Sequence, residues 1–287
     1  MRYYKILVAG ATGYLGKYIL RELKKQGYFT IAIARDPSKL NQLSADKIMQ
    51  AEVTQPESLK GLCDEVDCVI STVGITKQKD SLLYMDVDYQ ANANLLKEAL
   101  RCGVKKFIYI SVLNGQCLRH LKMVEAKEKF VDELKRSGMD YMIIRPNGFY
   151  SDMTEVLKMA QKGRVYLFGD GTYVANPIHG ADLARFIINN MEKSIAELEV
   201  GGPDILTQNE IARMAFIATG KKERIIHIPI WVRNAALSLI HWFSSQKTYG
   251  PIEFFMTVMT MDMFAPFYGK YGLEDYFINT AVQLESE

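Results

Sequence analysis

Short apolar runs alternate with helical-period segments over the first half of the chain. Tyr4 to Ala9, Thr30 to Ala34, Val69 to Thr72, Phe107 to Ser111 and Tyr141 to Arg145 are rich in β-branched and aromatic residues and read as strands. Between the first two, Tyr14 to Gln26 repeats Leu15, Tyr18, Ile19 and Leu23 at helical spacing. Ala91 to Leu100 and Val124 to Leu134 keep the same period. Strands separated by helices of this length predict a parallel sheet with right-handed crossovers, covered on both faces. The expected fold is α/β: a Rossmann-type doubly wound parallel sheet, with a smaller, mainly helical C-terminal substrate region.

After Arg145-Pro146 the pattern loses its regularity. Gly163, Gly169, Asp170 and Gly171 predict a small hairpin or an extended excursion. Thr207-Gln208-Asn209-Glu210 has capping-box form and predicts the start of a helix carrying Ile211, Met214, Ala215 and Ile217. Across Ile225 to Ala265 the only formal charges are Arg233, Lys247, Glu253 and Asp262. The domain reading is 1–150 as the α/β core and 151–287 as a mixed C-terminal region, with 176–203 returning to the sheet. Trp231, Ala235, Leu239 and Trp242 share one helix face. They suit a small domain's core, a lid over a bulky apolar substrate, or an interfacial helix touching a membrane or partner.

The strongest local signal is Gly10-Ala11-Thr12-Gly13-Tyr14-Leu15-Gly16, between the first strand and the first helix. Glycines there permit a tight turn and close backbone approach to a pyrophosphate, while the helix N-terminus offers free N–H groups. The second strand ends in Ala34-Arg35-Asp36-Pro37-Ser38-Lys39. NAD-selective sites place an acidic residue at that strand end. A guanidinium at Arg35, with Lys39 as a second cation, suits a 2′-phosphate instead, so NADP(H) is the expected cofactor; the rival reading makes Asp36 the ribose partner.

Composition narrows the partners. A formal net charge of +2 with no dense basic block argues against nucleic acid. Cys63, Cys68, Cys102 and Cys117 show no Cys-x-x-Cys spacing, the four histidines are dispersed, and no metal site is expected. Cys63 and Cys68 read as buried free thiols of a reducing cytoplasm. Met1 leads straight into a strand pattern, no leader segment is expected, and no run reaches the length of a membrane span. Cytoplasmic localisation follows as the expectation, with peripheral membrane contact left open.

Taken together, these residues and further motifs resemble the atypical short-chain dehydrogenase/reductases, specifically the NmrA-like group. The further motifs are Asp67 to Gly74, Ala99 to Ser111, Ser137-Gly138 with Arg145-Pro146, and Asn176-Pro177-Ile178-His179 followed by Asp182. Gly269 to Phe277 is similar to the divinyl-reductase-like branch. The resemblance implies that Gly10, Thr12, Gly13, Tyr14, Leu15 and Gly16 line the pyrophosphate and Arg35 the adenosine phosphate. It places Val53 at the adenine edge, where relatives carry Asp-Val and this chain carries Glu52-Val53. It puts Thr72, Val73 and Gly74 under the adenine ribose, Ser111 and Val112 near the nicotinamide, and Pro146, Asn147, Gly148 and Phe149 at the carboxamide side.

Typical relatives use Tyr-x-x-x-Lys on the helix after the fifth strand. Here the matching stretch is Met123-Val124-Glu125-Ala126-Lys127, so the phenol is missing while four-residue spacing keeps the lysine on the same face. Lys127 is the catalytic candidate, either orienting the nicotinamide ribose or donating a proton if a low-dielectric pocket depresses its pKa. Glu125 and Glu128 read as solvated charges. His179 reads as structural, with Asp182 able to cap the next helix; Tyr150 reads as core, and Ser111 as a partner of substrate, cofactor or its own backbone. The function expected is an NADPH-dependent reductase delivering hydride to a C=C or C=O of a hydrophobic small molecule. The alternative is a non-enzymatic NADP(H)-sensing regulator or accessory subunit.

Overall fold

The computed structural model describes residues 5–36, 45–75, 82–243 and 246–285. In chain order these form β1 (Lys5–Ala9), α1 (Tyr14–Lys25), β2 (Phe29–Ala34), β3 (Lys47–Gln50) and, after a 3-10 turn at Pro56–Leu59, β4 (Cys68–Ser71). A π-helical stretch, Met85–Ala91, runs into α2 (Asn92–Arg101), followed by β5 (Lys106–Ile110), α3 (Lys122–Arg136) and β6 (Asp140–Pro146). Then come α4 (Tyr150–Gln161), β7 (Val165–Phe168), β8 (Val174–Ala175), α5 (Gly180–Asn190) and β9 (Glu197–Val200). The chain closes with β10 (Leu206–Thr207), α6 (Gln208–Thr219), β11 (Ile225–Ile228), α7 (Ile230–Phe243), α8 (Gln246–Val258) and α9 (Leu273–Glu285).

Two compact units emerge: Met1–Arg145 with Leu183–Leu198, and Pro146–Asp182 with Glu199–Glu287. The first is built on the seven-stranded sheet, ordered β3-β2-β1-β4-β5-β6-β9. The pairs from β3 through β6 are parallel, and the order reverses direction between β1 and β4. This is the doubly wound fold expected from the alternating pattern, and the reversal opens a crevice at the carboxyl ends of β1 and β4. Strands β4 and β5 are buried along their whole length, as parallel strands covered on both faces must be. Phe130 of α3 packs edge-on to Tyr109 with centroids 4.6 Å apart and lies 5.7 Å from Phe107. Edge strand β3 is mostly exposed, which is why its Lys-Ile-Met-Gln sequence carries little apolar signal.

The second unit is mainly helical. Its core gathers Tyr150, Leu157, Leu167, Phe216 and Phe277. The capping box forms as read: Thr207 Oγ1 accepts from Glu210 N at 3.2 Å, and Glu210 Oε2 accepts from Thr207 N at 2.7 Å. The hairpin reading of 163–171 is corrected, because β7 pairs in parallel with β11 and a parallel partner cannot lie across a tight turn. The His179 ring sits 4.5 Å from Tyr271 and 5.6 Å from Tyr150, and its Nδ1 accepts from Ala181 N at the start of α5. Asp182, in the first turn of α5, accepts from the backbone N–H of Lys270 and Tyr271 at 2.9 and 3.0 Å. Tyr150 is core, its hydroxyl donating to Tyr271 O at 2.6 Å. Among the described residues no helix is long and apolar enough to cross a membrane.

Candidate functional site: a dinucleotide cavity in the first unit

A cavity of about 320 Å³ lies at the carboxyl ends of β1, β2 and β4. Its floor is the turn between β1 and α1. Gly10 adopts φ +79°, and a Cβ there would lie 2.4 Å from Thr72 Oγ1; a Cβ at Gly16 would lie 2.3 Å from Gly10 O. Only glycine fits either position without displacing backbone or Thr72. Gly13 caps α1 without a side-chain acceptor, and the first turn holds no acidic residue. The first amides of α1 therefore face the cavity without a competing carboxylate, as an anion site needs.

Of the residues expected to hold the cofactor, Gly10, Thr12, Gly13, Arg35, Val53, Thr72, Val73 and Gly74 line this one cavity. Tyr14, Leu15 and Gly16 form the first turn of α1 behind it, with Leu15 turned into the core. Lys39 lies outside the described residues, as does the side chain of Trp242. Arg35 is largely exposed, with Nε 3.6 Å from Glu52 Oε2. Glu52, the departure from the family's Asp, also accepts from the Thr54 hydroxyl at 2.9 Å and lies in the cavity wall. Asp36 is exposed and is not part of that wall. Glycine amides for a diphosphate, a cation at the second strand end and an apolar slot (Ile33, Val53, Val73) fit a phosphorylated dinucleotide.

Lys127 lies beside this cavity. A Cβ built on Gly74 would come 2.8 Å from Lys127 Nζ and 2.7 Å from Asp88 Oδ1. Nζ sits 2.9 Å from Asp88 Oδ1, and Asp88 is fully buried. Its other oxygen accepts from Ile75 N at 3.1 Å, so one carboxylate ties the lysine to the loop that follows β4. The low pKa considered for Lys127 does not arise. Burial acts to lower it, but the Asp88 carboxylate and the Tyr109 hydroxyl together hold the ammonium above its ordinary value. For Asp88, burial pushes the carboxyl up while Lys127 and the Ile75 amide oppose it.

Buried polar residues around this pair went unread in the sequence. Asn92 donates to Val73 O at 3.2 Å and Asp88 O at 3.0 Å, and accepts from Ser71 Oγ at 2.5 Å. Asn92, at the start of α2, thereby ties the π-helical stretch to Ser71 and Val73. Tyr84 is fully buried just ahead of it, its hydroxyl without a hydrogen-bond partner among the described residues, and burial raises its pKa. The only signal for these residues was a polar cluster within a helical period.

Ser111 and Val112 serve a second network. Ser111 Oγ donates to Glu128 Oε1 at 2.7 Å, and Arg145 Nη1 donates to Val112 O at 3.2 Å. Glu128 is not solvated as expected: it is fully buried and takes both Nη groups of Arg145, at 2.6 and 3.0 Å. A planar guanidinium meeting two carboxylate oxygens explains how that charge is tolerated inside. Pro146 to Phe149 open the second unit, where Asn147 Nδ2 donates to Asn176 Oδ1 at 2.7 Å and Met263 O at 2.5 Å. The four cysteines are free; Cys63 and Cys68 are buried, and burial pushes the Cys63 thiol up to about 12. Asp64, Glu98 and Cys102 gather potential ligand atoms within 4.8 Å of one another, but Arg101 Nη2 donates to all three and already supplies the positive charge.

Fold and cavity define an NAD(P)H-binding protein of the Rossmann type. Residues 10–194 match the NAD(P)H-binding family, and the chain belongs to it. It is 30% identical to the divinyl chlorophyllide a 8-vinyl-reductase of Cucumis sativus, over 95% of this chain and 75% of that protein. It is 25% identical to the photosystem II assembly factor Ycf39 of Synechocystis sp., over 94% and 86%. The NADPH-dependent quinone oxidoreductase QOR2 of Escherichia coli shares the fold, with TM-score 0.69 and 17% identity over 98% and 99%.

Proposed function

We propose that this chain is an NADPH-dependent reductase acting on a C=C or C=O of a hydrophobic small molecule. The observation that carries the reading is the buried Asp88–Lys127 pair, set against Gly74 at the wall of the dinucleotide cavity. Residues 1–150 serve as the cofactor-binding core, with 176–203 returning to it, and 151–287 as the substrate region. NADPH, when bound, supplies the hydride. The amides of Gly10 to Gly13 would hold its diphosphate and Arg35 its 2′-phosphate, giving preference over NADH. Lys127 would bind the nicotinamide ribose and, as a fixed ammonium, stabilise negative charge growing on the substrate. It acts better as a held cation than as the proton source, because Asp88 resists its deprotonation. A reductase relative whose name carries a vinyl group supports a conjugated C=C as acceptor. The free thiols and ordinary charge balance are consistent with a cytoplasmic protein.

Steady-state NADPH oxidation against a panel of enones, quinones and vinyl-bearing aromatics tests this. Oxidation that depends on substrate and falls at least about tenfold in Lys127→Ala is expected. Cofactor binding without turnover of any acceptor counts against it.

One observation favours a second reading, a non-enzymatic NADP(H)-responsive regulator or accessory subunit. Met123 occupies the position of the family phenol and is buried, so no hydroxyl stands there. The likeness to an assembly factor agrees with this alternative. A sensor should bind NADP and NADPH with different affinities and change its protein partners accordingly, which calorimetry followed by pull-down with each nucleotide would reveal.

A further inference from the structure

Helix α7 is a surface helix with one formal charge, Arg233, among its fourteen residues. Its exposed positions include Ile230, Trp231, Asn234, Ala235, Ser238 and Leu239, and none of them bears a formal charge. Trp231 is 71% exposed and Leu239 61%, and Trp231, Ala235 and Leu239 follow one another at four-residue spacing along one stripe. From Ile230 to Asp262 only Gly250 is fully buried among the residues whose side chains are described. A helix bathed in water ordinarily turns charged side chains outward, so this stripe calls for an apolar environment.

Charge indicates which environment. Residues 221 to 271 contain Lys221, Lys222, Arg224, Arg233, Lys247 and Lys270 against Glu223, Glu253 and Asp262, a balance of six to three and a local charge of +3. Lys221, Lys222 and Arg224 are exposed and directly precede β11, and Arg224 lies six residues, roughly 20 Å of extended chain, before the start of α7. Arg233, the one formal charge in α7, donates to Asn234 Oδ1 and Thr257 Oγ1, and among the described residues no carboxylate forms an ion pair with it. A tryptophan-bearing apolar stripe beside a basic cluster matches the chemistry of an anionic lipid surface: side chains enter the acyl boundary while lysine and arginine meet phosphates. At fourteen residues, α7 is too short to span a bilayer, so it would lie in the interface.

We propose that the α7 stripe and its neighbouring basic cluster dock this protein on membranes rich in anionic phospholipid. The docking goes beyond the reductase reading and does not depend on it. The test is flotation of the full chain with phosphatidylcholine vesicles and with vesicles that also contain phosphatidylglycerol. Trp231→Asp/Leu239→Asp and Lys222→Glu/Arg224→Glu variants run beside it. The native chain should float with the anionic vesicles and be released by salt, and each double variant should lose at least about tenfold in partitioning. Unchanged dinucleotide affinity and thermal melting show that the variants, all at exposed positions, remain folded.

Four results overturn the proposal. The chain is recovered only in the bottom fraction with both vesicle types, it floats equally with neutral vesicles, or it floats equally after the Trp231 and Leu239 changes. Alternatively, light scattering reveals a dimer that Trp231→Asp dissociates, making a second copy of the chain the occupant of the stripe.

Discussion

Helices α1 and α7 are of similar length and dispose of their apolar side chains in opposite ways. In the first unit, α1 buries Leu15, Ile19, Leu20 and Leu23 and turns Lys17, Arg21 and Glu22 away from the core, so its free N-terminus is held rigidly against the cavity. In the second, α7 carries more apolar residues yet leaves Trp231 and Leu239 outside. A regular period with charges between the apolar positions encodes where a helix packs. A helix that lacks this alternation of charged and apolar positions does not, and what satisfies its exposed apolar side chains must come from elsewhere.

That contrast can be broken by truncation. Phe130→Ala removes a fully buried ring between β5 and α3 and should destabilise the first unit by about 3–5 kcal/mol, while Leu239→Ala should stay within about 0.5 kcal/mol. Chemical denaturation of both variants measures the difference, and equal losses would mean that α7 is packed as tightly as the sheet.

Asp88→Asn sharpens it on the polar side. Leaving the Lys127 ammonium without its buried counter-charge should cost on the order of 3–5 kcal/mol. With the Asp88 charge gone only Tyr109 still opposes burial, so the Lys127 pKa should fall and its amine become reactive toward acylating reagents at lower pH than in the native chain. Native-like stability and reactivity in Asp88→Asn would show that the pair does not hold the loop after β4.

The smallest effect concerns pH. Burial among tyrosines holds the His179 imidazole below its usual value, with Asp182 opposing. The unfolded chain therefore binds the proton first. Stability from neutral His179 is complete above about pH 6.5 and is lost as pH falls through the folded value. A His179→Gln variant should show a flatter fall in melting temperature between neutral and mildly acidic pH; an unchanged slope would assign that fall to other groups.

The parts of the site legible in the sequence are those built from neighbours in the chain. The Gly10 to Gly16 turn, Arg35 at a strand end and Thr72 to Gly74 each announce themselves locally, and the cavity brings most of them together. Asp88 did not, because what makes it important is Lys127, on another helix, and a backbone amide of the loop after β4. Glu128 looked solvated for the same reason: nothing in the period of α3 distinguishes it from Glu125, and only Arg145 at the end of β6 does. The parallel pairing of β7 with β11 was equally hidden, since glycines between strands signal a turn but not which strand comes alongside. Local backbone chemistry is written in order along the chain; charge compensation inside a fold is not.

The most direct measurement is a calorimetric titration of the protein and its Arg35→Ala variant with NADPH and NADH. Saturable binding that favours NADPH, with the preference reduced about tenfold or more in the variant, is the result expected of a guanidinium that grips the 2′-phosphate. Absence of saturable binding, or a preference untouched by Arg35→Ala, would contradict the assignment of the first-unit cavity to NADP(H).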